Sequence, residues 1–431
     1  MLRSLAAAIA VLCVFAAARA SAQVDFEWSA TLPFTGGEGL THGDLVAHDD
    51  GVTALHSRPA ASALPLWFSR WTADGVLVTQ HQPALPTGIY YEPSLCWDGV
   101  RYAAAASSYT SAAFFTLDAA GDPILAPTPL PSIPFGGRTA APRVRCTPLG
   151  YAVFALLLEP TYEGSPYFYT RLHYWLVDAA GHASIDRDLG ILLAPISYPG
   201  FEGLEKEYYD VAWTGAGFLV AYAAECGAPA SFQACYRVLD AAGDTTRAEA
   251  PLTTLPTQGP HLATDGAVVA AASLRQNAFP GGNTLYARFF AADGTPLGAE
   301  QQYDDPGLFP TGYAPQMVRA GPRFLAAYVY PDPFTLAYRV MLAPFTLAGA
   351  RLGYGAAVGD PLGVVEDTIN LGVDFQLAAQ GTLLYGKGQA GVIQIAPIVF
   401  RIPEPAAAAC AAAIALAACG WARRRIPRRG A

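Results

Sequence analysis

The sequence predicts an all-β protein, a β-propeller of seven blades with about four short strands in each, and three observations predict it. Glycine turns between short apolar segments recur every several tens of residues. A second turn follows the first in nearly every unit. Charged residues make up only 14% of the 431 residues, against ~25% in typical globular proteins, so long charged helices are not expected. Tandem β-sandwiches are the alternative that the same strand pattern allows.

The clearest unit is a short apolar strand, a tight turn and a second apolar strand. Examples are Leu95-Cys96-Trp97-Asp98-Gly99 leading to Tyr102–Ala105, and Val211-Ala212-Trp213-Thr214-Gly215 leading to Phe218–Tyr222. The first-turn glycines fall at 51, 99, 150, 215, 266, 321 and 381, which marks seven units. Second turns follow at Gly75, Gly121, Gly181, Gly243, Gly294 and Gly349. Three of them read Asp-Ala-Ala-Gly, at 118–121, 178–181 and 240–243. An Asp that opens a turn binds the backbone beyond it, and a Gly that closes it accepts positive φ, so these are hairpin turns. They are not calcium loops, because the two alanines supply no oxygen ligand. A strand-like segment at 26–32 is placed to complete the last unit near Val392–Phe400.

The two ends read as addresses. Residues 1–22 form a secretion signal, with Arg3, an apolar stretch from Leu5 to Ala18, and a small-residue cleavage site ending Ala20-Ser21-Ala22. Residues 23–402 form the repeat domain, and 403–431 a sorting tail. The tail places Pro403-Glu404-Pro405 before an apolar run from Ala406 to Trp421 and a cluster containing Arg423, Arg424 and Arg425. That run falls short of the ~20 residues a stable membrane helix needs, so it engages a bilayer only transiently, held by arginines that stay on the cytoplasmic side. The tail resembles the PEP-CTERM signal of Gram-negative bacteria. The resemblance implies export to the cell surface or beyond, cleavage by an exosortase-like membrane protease, and a link to extracellular polysaccharide or biofilm matrix. It implies nothing about the fold or activity of the domain delivered.

Removing two arginines with the signal, and five arginines and Glu404 with the tail, leaves 19 basic against 34 acidic residues. An acidic surface repels phosphate backbones, which excludes nucleic acid as a partner. Four cysteines survive processing, in a compartment where disulfides persist. Three pairings are open; Cys226 with Cys235 is favoured across a short loop, and Cys96 with Cys146 by elimination and by their places on the first strands of adjacent units.

No nucleophile elbow, zinc helix or phosphate-binding glycine loop occurs. His42, His48 and His56 follow no ligand spacing, and no metal or other cofactor is expected. Asp49-Asp50-Gly51-Val52-Thr53 matches part of a sialidase Asp box but lacks its flanking Ser and Trp, so its Asp reads as a turn residue. The long third unit offers the best ligand surface: Tyr162, Tyr167, Tyr169, Glu205, Glu207 and Tyr208. Aromatic faces stack on sugar rings and carboxylates accept hydroxyl hydrogen bonds. These features favour a non-enzymatic binding or structural propeller. The alternative is a polysaccharide-acting glycosidase or lyase, which needs paired carboxylates at the ring mouth.

Overall fold

The computed structural model describes residues 25–28, 41–57, 66–72, 76–85, 91–107, 111–130, 138–160, 167–197, 208–226, 233–254, 257–276, 283–303, 315–331, 338–352, 356–358, 376–380, 383–387 and 397–401. All regular structure among them is β. After β1 (Asp25–Trp28), blade 1 comprises β2 (Thr41–His48), β3 (Gly51–Ser57), β4 (Leu66–Thr72) and β5 (Leu77–His81). Blade 2 comprises β6 (Tyr91–Trp97), β7 (Tyr102–Ser107), β8 (Ala112–Leu117) and β9 (Pro123–Pro129). Blade 3 has longer strands, β10 (Arg138–Thr147), β11 (Gly150–Pro160), β12 (Tyr167–Val177) and β13 (Ala183–Ser197). Blade 4 is β14 (Tyr209–Trp213), β15 (Gly217–Ala224), β16 (Gln233–Asp240) and β17 (Thr245–Pro251). Blade 5 is β18 (Gln258–Thr264), β19 (Val268–Gln276), β20 (Asn283–Ala291) and β21 (Gln301–Gln302). Blade 6 is β22 (Gln316–Ala320), β23 (Arg323–Pro331), β24 (Tyr338–Thr346) and β25 (Ala356–Val358). The chain ends with β26 (Gln376–Gln380), β27 (Leu383–Lys387) and β28 (Pro397–Arg401).

The protein is thus a β-propeller with four-stranded blades, not tandem sandwiches. The expectation of seven like blades is corrected: six blades are each made of four consecutive strands, and a further four-stranded sheet has the order β1-β28-β27-β26. Among the described residues, β27 and β28 follow the glycine at 381, and β1 takes the remaining place in that sheet. Within the compact unit Trp28–Ile398, the first strands β2, β6, β10, β14, β18 and β22 touch in series, and β26 touches both β22 and β2.

Burial explains why the strands read as apolar runs rather than alternations. Blades 2 to 5 are each covered on both faces, by the blade before and the blade after. On β7, Tyr102, Ala104 and Ala106 pack with Leu55 and Phe68 of blade 1, while Ala103 and Ala105 pack with Val144, Val153 and Trp175 of blade 3. β11 repeats the division, with Phe154, Leu156 and Leu158 meeting Tyr209, Val220 and Tyr222 of blade 4. Alanine suits these middle strands because it lets neighbouring sheets approach.

Every predicted turn glycine among the described residues has positive φ; those at 75 and 381 lie outside them. In the Asp-Ala-Ala-Gly turns the Asp side chain accepts two backbone N–H groups, as Asp118 Oδ1 does from Ala120 (2.8 Å) and Asp122 (2.9 Å). These turns also join blades. A Cβ at Gly121 would lie 2.3 Å from Phe68 of blade 1, and Arg70 donates to the Ala119 carbonyl at 3.1 Å. In the same way Tyr174 donates to the Ala241 carbonyl at 2.8 Å, and Arg247 to Thr295 Oγ1 at 3.0 Å.

Candidate functional site

The first strands carry a belt of polar side chains at one register position. Asp44, Ser94, Arg143, Asp210, His261 and Gln316 stand opposite Leu55, Ala105, Phe154, Ala221, Ala272 and Ala327 of the second strands. A first strand has a ladder on one side only, so alternate amides point away from its sheet. The belt satisfies them from the blade before. Asp44 Oδ2 accepts from Leu95 N at 2.8 Å and from Ser94 Oγ at 3.0 Å. Ser94 Oγ accepts from Val144 N at 3.1 Å, and Asp210 Oδ2 from Leu262 N at 2.8 Å. His261 Nδ1 accepts from Met317 N at 3.2 Å.

Local backbone sets this aim. β2, β6, β10 and β18 each shift register just before the belt residue. In β6, β10 and β18 a proline precedes it: Pro93, Pro142 and Pro260. Proline has no N–H to lose at an edge, and a bulge re-aims the next side chain. In β10 the bulge holds Ala141 at φ 48°, and Tyr209 Oη donates to the Ala141 carbonyl at 2.6 Å.

The belt's charge concentrates on Asp210, whose side chain is almost wholly buried. Arg145 donates to its Oδ1 at 2.7 Å and to the Val211 carbonyl at 2.6 Å. Arg143 Nε lies 3.9 Å from Oδ1, and His261 Nδ1 lies 3.5 Å from Oδ2. Burial pushes the Asp210 carboxyl up, but His261, the two guanidiniums and the Leu262 amide outweigh it and hold it below its ordinary value. His261 is also lowered: loss of water and the two arginines outweigh the pull of Asp210 and Asp44. Its Nδ1 already accepts the Met317 amide, which fits a neutral ring.

The predicted ligand surface is placed in part. Tyr162, Glu205 and Glu207 lie outside the described residues. Tyr167 and Tyr169 lie on β12, and Tyr169 stands opposite Glu159 in register. Tyr208 is partly buried and packs against the apolar core shared by blades 3 and 4. Sequence reasoning missed Arg171, two residues along β12 from Tyr169, which pairs with Glu159 and donates to Asp188 Oδ2 at 2.7 Å. The backbone beyond Asp188 turns back on it, since Gly190 has φ 63° and its N–H donates to Asp188 Oδ1 at 2.8 Å. His173 pairs with Asp186 and stacks near Trp175, with ring centroids 4.3 Å apart. All three residues of the Arg171 network are about one-third exposed.

Both expected disulfides are present, Cys96–Cys146 and Cys226–Cys235. Of the three histidines grouped in sequence, His48 is buried, its Nε2 sharing a hydrogen-bonded triangle with Thr53 Oγ1 and Tyr102 Oη at 2.7–3.1 Å. In the partial Asp-box segment, Asp50 pairs with Arg70 at 3.3 Å beside a tight turn. Among the described residues no three His, Cys, Asp or Glu side chains are grouped to hold a metal, and no helix is long and apolar enough to cross a membrane. The signal site at Ala20 and Ala22, the Pro403-Glu404-Pro405 motif, the apolar run and the arginine cluster lie outside the described residues.

No family model matches the chain, and no curated protein matches it. Solved structures resemble it. Polysaccharide lyase Uly1 has a TM-score of 0.51 and 10% identity, over 87% of this chain and 100% of that one. BBS1N, solved in complex with ARL6DN, has a TM-score of 0.47 and 12% identity, over 88% of this chain and 98% of that one. The β-propeller domain of the Trilobed protease from Pyrococcus furiosus has a TM-score of 0.46 and 8% identity, over 86% of this chain and 98% of that one. At such identities the likeness is one of fold.

Proposed function

We propose that the chain is an exported, non-enzymatic propeller, a binding or structural module of the cell surface or extracellular polysaccharide matrix in a Gram-negative bacterium. The observation that carries this reading is the engagement of the belt carboxylates. Asp210 Oδ1 accepts from Arg145 and the Val211 amide, and Oδ2 from the Leu262 amide. Asp44 is likewise engaged through both oxygens. Asp210, held charged by its partners, is a poor proton carrier near neutral pH. Two disulfides support an oxidising compartment. Delivery follows a PEP-CTERM-like route, with an exosortase-like protease cutting at Pro403-Glu404-Pro405 after transient membrane contact by the tail.

The ligand surface is the outer part of blade 3, where Tyr167 and Tyr169 share a strand with Arg171 of the Arg171–Glu159–Asp188 network. A guanidinium fixed between two carboxylates presents donors and acceptors in a set geometry, which suits sugar hydroxyls. Affinity electrophoresis in gels cast with matrix polysaccharides tests this. Retardation that weakens about tenfold, or ~1.4 kcal/mol, in Arg171→Ala is expected; mobility unaffected by any polysaccharide overturns it.

A second reading, an extracellular glycosidase or lyase, draws support from the fold likeness to a polysaccharide lyase. Release of reducing or unsaturated ends from those polysaccharides would put it first.

A further inference from the structure

We infer, on the reading of blade 3 as the ligand surface, that the polysaccharide it takes carries free amino groups. β11 and β12 pair without a register shift, so Glu159 of β11 and Arg171, His173 and Trp175 of β12 lie on one face of the sheet. On β13, beyond the bulge at Leu189 and Gly190, Asp188 stands opposite His173 and Asp186 opposite Trp175. Val153, Leu157 and Trp175 of this face pack with Ala105 and Phe114 of blade 2, so it looks into the seam between the two blades. Exposure rises along β12 toward the open end: Trp175 is 1% exposed, the His173 side chain 13% and the Arg171 side chain 33%.

Charge on this face does not balance. Three carboxylates meet one guanidinium and one imidazole, a negative sum even with the ring protonated. Arg171 takes one oxygen each of Glu159 and Asp188, the Gly190 amide takes the other oxygen of Asp188, and His173 Nε2 holds one oxygen of Asp186. Among the described residues nothing takes the second oxygens of Glu159 and Asp186, whose side chains are 31% and 50% exposed. Arg187 lies on the other face, opposite Tyr174, and pairs with Asp244 of blade 4. Blade 2 supplies no cation, since between Arg101 and Arg138 the sequence has no lysine, arginine or histidine. Deeper in, the Trp175 N–H and His173 Nδ1 are buried without a partner among the described residues. Their rings lie 4.3 Å apart. Asp186 accepts from Nε2, so Nδ1 of the neutral ring is an acceptor, and a sugar hydroxyl, donor and acceptor at once, answers both. An ammonium answers the open carboxylate oxygens with charge-assisted hydrogen bonds. Glu159 and Asp186 stand opposite Tyr169 and Trp175, about 20 Å apart along β12, which suits amino groups repeated along a chain. A uronic acid polymer would set like charge against all three carboxylates.

Isothermal titration of the exported protein with hexamers of glucosamine, N-acetylglucosamine and a uronic acid, in mildly acidic buffer at low and high salt, tests this. The glucosamine hexamer is expected to bind, the acetylated hexamer about fivefold more weakly and the uronate not at all, with salt weakening only the first. Glu159→Gln and Asp186→Asn are each expected to weaken the glucosamine hexamer about fivefold and to leave the acetylated one unchanged, a split that a folding defect does not produce. Acetylated or uronate hexamer bound as tightly as glucosamine overturns the inference, and loss of that binding in Arg171→Ala would still keep blade 3 as the ligand surface. Glucosamine binding that both carboxylate variants retain in full overturns it too. So does binding by none of the three, in which case retardation by other polysaccharides decides separately whether blade 3 is the ligand surface.

Discussion

Asp210 draws Arg143, Arg145, His261 and the Leu262 amide to one carboxylate, and so ties blades 3, 4 and 5 at their first strands. Asp210→Asn removes the buried charge that Arg145 and Arg143 face, and is expected to cost about 3–5 kcal/mol in urea unfolding. Acid should weaken the same knot in two windows. His261 lies below its ordinary 6.5, so the unfolded chain takes that proton first. Its contribution is whole above pH 6.5 and is lost as pH falls toward the folded value. Asp210 lies below its ordinary 3.8, so its contribution persists to more acid pH and is lost only as pH falls through the folded value. Midpoints measured against pH should lose the upper window in His261→Gln and keep the lower. At the outer turns, Gly121 has φ +94° and no room for a methyl beside Phe68. Gly121→Ala is expected to cost about 1–3 kcal/mol in a thermal melt.

At the scale of the element, the two disulfides close loops of different length. Cys96–Cys146 spans 50 residues and links the first strands of blades 2 and 3, whereas Cys226–Cys235 spans 9 within blade 4. Chain entropy makes the first worth about 4 kcal/mol and the second about 3. Serine pairs replacing each should lower the melting temperature in that order. The strands and turns were legible in the sequence because their causes are local: Gly121, Gly181 and Gly243 close turns whose Asp binds the next amides. The belt was not, because its spacing to the turn glycine changes with turn geometry. Ser94, Asp210, His261 and Gln316 stand five residues before it, Asp44 and Arg143 seven. A proline before a polar and then an apolar residue, as in Pro93-Ser94-Leu95, Pro142-Arg143-Val144, Pro260-His261-Leu262 and Pro315-Gln316-Met317, was the signal to follow. Arg171 was hidden for a different reason, since its partners Glu159 and Asp188 come from two other strands.

Across the molecule, blades 2 to 5 are covered on both faces, and neighbouring blades are braced both at the first-strand belt and at outer turns. Asp44, Asp210 and His261 each find hydrogen-bond partners on a neighbouring blade. That leaves the outer part of blade 3 as the surface on which recognition is proposed. The central claim, recognition of polysaccharide without chemistry on it, meets its most direct test in one measurement. The exported protein is incubated with the matrix polysaccharides that retard it, and chain length and newly formed ends are followed with time. Unchanged chain length in the presence of bound protein is the result expected. Depolymerisation that scales with protein concentration and disappears in Asp210→Asn or Asp44→Asn variants that remain folded would contradict it.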